Sequence, residues 1–95
     1  MHDNSLELFA TLKTLAEKNL IEFLNLDLDL SFTFLKTAQI EAGRDDVHCR
    51  PALEKAQEAL LSIRRFQGRA EDPNDRQKIQ VRANELEVAL NVFKD

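Results

Sequence analysis

Glycine and proline stand at only four of the 95 positions, Gly43, Pro51, Gly68 and Pro73, and this scarcity constrains the fold more than any other feature of the chain. An all-β sandwich needs a turn signal about every 8 to 12 residues, and the tight turns draw on glycine and proline for their backbone angles. Here the punctuation gathers in two places, around residues 43–51 and 68–73, which allows two connections between three long segments. Segments of that length without internal breakers are written for helices.

One stretch reads otherwise. Residues 24–34, LNLDLDLSFTF, alternate apolar and polar side chains without exception, which is the pattern of a half-buried strand. Yet no turn residue brackets it and no second strand is available, so a lone strand would leave its backbone N–H and C=O groups without partners. On a helical wheel, at about 100° per residue, the same side chains separate into stripes. Leu26, Leu30 and Phe34 fall on one face, continued upstream by Phe23, while Ile21, Leu24, Leu28, Phe32 and Leu35 fall on a second. Glu22, Asn25, Asp29, Thr33 and Lys36 form a polar edge. The stretch is therefore predicted to be a central helix, apolar on two flanks that neighbouring helices cover. Asp27 and Ser31, four residues apart, project between those flanks as a candidate buried polar pair. A carboxylate there needs a cationic or hydrogen-bonding partner. An Arg or Lys of a neighbouring helix would serve at a rim position; the alternatives are a ligand-facing carboxylate or a polar pair that fixes helix register.

Upstream, NSLELFATLKTLAEKN carries Leu8, Phe9, Leu12, Leu15 and Ala16 on one face, and Asn4 with Glu7 reads as a capping box. This face continues in register into Phe23, Leu26, Leu30 and Phe34, predicting one helix over about residues 5–41, roughly 55 Å long. The alternative is a break near Lys18 and Asn19, which no glycine or proline marks. Gly43 is placed to cap the helix end. A second helix, over about 47–67, carries Leu53, Ala56, Leu60, Ile63 and Phe66, with Pro51 tolerable in its first turn. After Gly68, Asp72 and Pro73 supply a cap and a first helical residue for a third helix over about 73–94, with Ile79, Ala83, Leu86, Leu90 and Phe93 in an a/d-like series. The expectation is an all-α three-helix bundle, one domain over 1–95, in which an antiparallel hairpin packs on the C-terminal half of the first helix. The N-terminal half is then left without a neighbour. Its Leu8, Phe9, Leu12, Leu15 and Ala16 face is a sizeable apolar patch, the mark of an interface with a protein partner or a second copy, a homodimer.

Charge and motif content narrow the function. The formal net charge of −4 argues against a general nucleic-acid or anionic-membrane binder. It is unevenly placed, with nine acidic and four basic residues in 1–46 against eight and nine in 47–95, a polarity suited to aligning two copies or two halves of one chain. The alternative nucleic-acid surface is the basic cluster Arg64, Arg65, Arg69 and Arg76, with Lys78 and Arg82, interrupted by Glu71, Asp72 and Asp75. It lacks the Tyr and Trp on which bases stack. Asp45, Asp46, His48 and Cys49 lie close in sequence but have no second pair of ligands to complete a zinc site, and acids before a helix are accounted for by capping. His48 and Cys49 would point about 100° apart on a helix, which does not make a nucleophile and its base. No glycine-rich phosphate loop, nucleophile elbow or HExxH occurs. No catalytic residue, metal or cofactor is expected. A lone cysteine, Cys49, asks for no oxidising compartment, and neither a signal sequence nor a run of about 20 apolar residues is visible, so a cytoplasmic protein without a membrane segment is expected.

The segment ALEKAQEALLSIRRFQG, residues 52–68, resembles the second helix of a tetratricopeptide-type unit. Ala56, Leu60 and Ile63 stand at that family's small-large-small spacing, with Ile63 where the family has a small residue. No period near 34 residues recurs. The resemblance implies a tetratricopeptide-like helical hairpin, a scaffold that in that family serves protein binding.

Overall fold

The computed structural model describes residues 5–42 and 46–94. They form three helices, α1 (Ser5–Ala42), α2 (Asp46–Gln67) and α3 (Pro73–Lys94), in an all-α bundle. The alternating stretch is helical throughout, and α1 passes residues 18–20 without a break. The caps expected at Asn4 and Gly43 lie outside the described residues, as does Asp45 of the acidic cluster.

Serine, threonine and asparagine are middling helix formers, and α1 contains many. Each of five hands its side-chain proton to the carbonyl four residues back: Thr14 to Ala10 (2.9 Å), Asn25 to Ile21 (3.1 Å), Ser31 to Asp27 (2.7 Å), Thr33 to Asp29 (2.9 Å) and Thr37 to Thr33 (3.0 Å). Satisfied within the helix, these groups neither compete with its backbone ladder nor need a tertiary partner.

The core is a single seam. Leu24, Leu28, Ser31, Leu35 and Ala38 of α1 are buried at alternating steps of four and three, as are Ile79, Ala83, Leu86 and Leu90 of α3. Ala52, Ala56, Leu60 and Ile63 complete it from α2. This is the spacing of helices packed nearly along one another, with small side chains letting the backbones approach and leucines filling the space between. The expected covering of α1 on two flanks is corrected here: α2 and α3 share one stripe, and on the other only Phe34 packs against the core, while Phe23, Leu26 and Leu30 remain 45 to 57% exposed. Two neighbours meeting at one a/d seam need only one apolar stripe from the third helix. The polar edge also divides, because Asn25 and Asp29 face α3 and accept from Arg82 at 2.8 and 2.7 Å.

α2 begins at Asp46, so Pro51 is its sixth residue and lies beyond the first turn. The missing N–H and the ring's conflict with the carbonyl four residues back fall before Ala52, the first buried residue among the described side chains of α2. At the other end α2 stops through bonds of three-residue span, Arg69 N–H to Phe66 O (3.0 Å) and Ala70 N–H to Gln67 O (3.2 Å). Gly68 has no positive φ, and a methyl group there would meet nothing within 4 Å. The α3 start is as expected. The Asp72 carboxylate accepts from Asn74 N–H at 2.8 Å, Pro73 takes the first position, and Arg76 N–H closes the first turn on Asp72 O at 2.9 Å.

Length is what the bundle leaves unmatched. α1 has 38 residues and α2 and α3 have 22 each, or about 57 Å against about 33 Å. The molecule extends over 69 × 21 × 15 Å with a radius of gyration of 17.6 Å, where a compact chain of this size has about 12 Å.

Candidate functional site

The hairpin reaches α1 only as far as Glu17. There the Glu17 carboxylate accepts from the backbone N–H of Glu71 (2.8 Å) and Asp72 (3.2 Å), and one turn earlier Lys13 lies 3.6 Å from Glu71. Residues 5–16 run on for about 18 Å with every side chain exposed.

Two stripes of this extension behave differently. Lys13 and Glu17 prolong the stripe that becomes the core at Leu24, and they are polar where the hairpin ends. The opposite stripe stays apolar. Leu8 (62%), Phe9 (68%), Leu12 (62%) and Leu15 (49%) are exposed on it, and so is Ala16. The line then continues beside the bundle through Phe23 (48%), Leu26 (57%) and Leu30 (45%), so the surface is nearly three times as long as the five residues singled out in sequence. The continued register signals its lower half, but the helical wheel alone does not distinguish this stripe from the covered one. A shorter row of exposed apolar side chains, Val81, Val88 and Val92, lies along α3 and was not anticipated at all.

The polar pair separates. Ser31 is fully buried in the core with its hydroxyl satisfied by Asp27 O, whereas the Asp27 side chain stands half-buried at the rim. The cation expected beside Asp27 is not there: among the described residues no Arg, Lys or His forms an ion pair with it. Partial burial without a compensating charge pushes its carboxyl above the ordinary aspartate range. Arg82 is instead held by Asp29 and Asn25, whose side chains lie on the far edge of α1.

The basic cluster is largely committed within the chain. Arg64 donates to Asn84 Oδ1 (2.7 Å) and Glu87 Oε2 (3.1 Å), and Arg76 to Ala70 O (3.3 Å). Arg65 and Arg69 lie over the Phe66 ring, at 5.9 and 4.7 Å from its centroid. Arg64 thus bridges α2 and α3, while Arg65, Arg69 and Arg76 make local contacts around the second connection. Among the described residues no group of three His, Cys, Asp or Glu is placed to hold a metal ion. A shallow groove of about 750 Å³ between α1 and the first turns of α3, lined by Ile21, Asn25, Asn74, Lys78 and Arg82, is the main concavity beside that junction, and its Asn25 and Arg82 are already paired with each other.

No helix among the described residues is long and apolar enough to cross a membrane. No protein-family model matches the chain, and neither the curated proteins nor the solved structures contain a match to it.

Proposed function

We propose that this protein is a non-catalytic association module that takes a helix onto the exposed stripe of α1. The observation that carries the reading is the line of large apolar side chains from Leu8 to Leu30, interrupted only at Asn19, which the chain's own hairpin does not use. Packing a second apolar helix along that line removes it from water, and the charges on either side set orientation and partner choice. The likeness of α2 to a tetratricopeptide helix points the same way, towards a protein partner. A free, half-buried Cys49 suits a reducing compartment such as the cytoplasm. Nucleic-acid binding through Arg64, Arg65, Arg69 and Arg76 is disfavoured by the internal contacts that occupy them.

The test is the double substitution Leu12→Asp and Leu15→Asp. It is expected to abolish association, followed by light scattering coupled to size exclusion, while helicity measured by circular dichroism stays near wild type. Refractive-index detection is required because the chain has neither Trp nor Tyr. Unfolding of the variant as a monomer would place those residues in the protein's own core and refute the reading.

A further inference from the structure

The outer stripe has an internal symmetry. Leu8, Leu12, Leu15, Asn19, Phe23, Leu26 and Leu30 follow one another at steps of four, three, four, four, three and four residues, a series that reads alike in both directions from Asn19. The mean step is about 3.7 residues, near the turn of a straight helix, so the seven stay in line along α1. All seven are exposed.

We propose that the occupant of this stripe is the α1 helix of a second copy, laid antiparallel about a two-fold axis at Asn19. The inference rests on the docking function proposed above and names its partner. Leu8 then lies opposite Leu30 of the second copy, Leu12 opposite Leu26, Leu15 opposite Phe23, and Asn19 opposite its own mate. Every such pair recurs on the other side of the axis, as a two-fold interface requires. A single asparagine in an otherwise apolar seam finds a partner in only one alignment and so sets the register.

Charge favours the same orientation. The antiparallel alignment brings Lys18 beside Glu22 of the second copy on one edge, and the pair recurs on the other side of the axis. A parallel alignment would set Glu22 against Asp27 of the second copy, twice over, and like charges at those flanking positions repel. The area is sufficient. The six apolar side chains of the seam are 45 to 62% exposed; at about 200 Å² for a large apolar residue they offer roughly 600 Å² per copy and about 1,200 Å² per pair, the size at which specific stable interfaces begin. Nothing obstructs the approach, because the hairpin covers the opposite side of α1, roughly 140° around the helix from the seam.

The experiment is disulfide trapping in a Cys49→Ser background, with single cysteines introduced at exposed positions. Under mild oxidation the Asn19→Cys variant is expected to cross-link to itself. Leu12→Cys and Leu26→Cys should cross-link when mixed and not alone, since position 12 and its own mate would lie about 21 Å apart along the axis, far beyond disulfide reach. Self-cross-linking of Leu12→Cys alone would overturn the antiparallel pairing. In parallel, the unmodified chain is expected to show a mass near twice 10.9 kDa. A mass of 10.9 kDa at sub-millimolar concentration would overturn the second copy as occupant. If the Leu12→Asp, Leu15→Asp variant is still folded in that case, the docking function survives with a different helix as partner.

Discussion

Replacing Leu24, Leu26, Leu28 and Leu30 by alanine one at a time tests the central structural claim, that an alternating stretch is a helix with two unlike faces. In a strand all four would project from one face and respond alike. In α1 Leu24 and Leu28 are fully buried, whereas Leu26 is 57% and Leu30 45% exposed. Truncating a fully buried leucine costs about 3 to 5 kcal/mol, more where the surroundings cannot collapse into the space. A domain of this length has roughly 5 to 14 kcal/mol of stability in all. Leu24→Ala and Leu28→Ala should therefore each lower the melting temperature by about 12 to 25 °C, from a loss near 3 kcal/mol at about 4 to 8 °C per kcal/mol. Leu26→Ala and Leu30→Ala should cost about 1 kcal/mol or less in the monomer. The assay is thermal and urea unfolding followed by far-ultraviolet circular dichroism, at low micromolar protein and again at a much higher concentration. At the higher concentration wild type should gain stability by mass action, and the two outer variants should gain less. Equal losses at all four positions in dilute solution would refute the helical assignment of faces.

Three further outcomes follow from named contacts. Burial raises the folded-state pKa of Asp27 above its unfolded value, so its ionisation opposes folding; this contribution favours the folded state below the unfolded pKa and is lost as pH rises through the folded pKa. Asp27→Asn should accordingly raise the melting temperature of the monomer at neutral pH, and the gain should vanish below the ordinary aspartate range; a gain that grows on acidification would contradict this. Arg82 spans Asn25 Oδ1 at 2.8 Å and Asp29 Oδ1 at 2.7 Å, a fork that an ammonium group does not reproduce. Arg82→Lys should thus cost about 1 kcal/mol, read as a shift in urea midpoint at unchanged m-value, discounted for a pair this exposed. Asp72→Ala, by removing the cap on Asn74 N–H, should also cost about 1 kcal/mol, and Asp72→Ser should restore most of it.

The helix boundaries were legible because glycine and proline are so few. Asp72 and Pro73 had a single role open to them, and the Ile79, Ala83, Leu86, Leu90 series of α3 left one face to bury. The choice between the two apolar stripes of α1 was not legible. Both repeat at helical spacing, and Leu24 and Leu26 are chemically the same residue. What decides between them is long-range: Arg82 meets Asn25 and Asp29 from α3, and Glu17 receives the backbone of the second connection. Those contacts are compatible only with the orientation in which Leu24 and Leu28 turn inwards and the Leu26, Leu30 stripe stays outside. Pairings across 53 to 57 residues of chain leave no local pattern. The same holds for Asp27, which has no ion-pair partner among the described residues while Arg82 meets the opposite edge of α1.

An exposed apolar stripe on a small bundle has a bland explanation, that a helix outran its partners and left core residues uncovered. The residues of α1 argue against it. Were the extension a stranded piece of core, the apolar positions beyond Glu17 would continue the Leu24, Leu28 stripe, the one the hairpin covers. That stripe instead turns polar at Glu17 and Lys13, which close off the hairpin's end. Leu6 returns to that stripe near the helix start, beyond the reach of the hairpin, but Leu8, Leu12 and Leu15 lie on the other side, and their line runs alongside the covered part of α1 as far as Leu30, where the hairpin is present and does not use it. A twelve-residue helix end standing alone in water is marginal, and the five large apolar side chains exposed on it add no stability to the monomer. Their arrangement has a physical consequence only when another helix lies along them, and the seam's symmetry about Asn19 makes a second α1 the helix that fits.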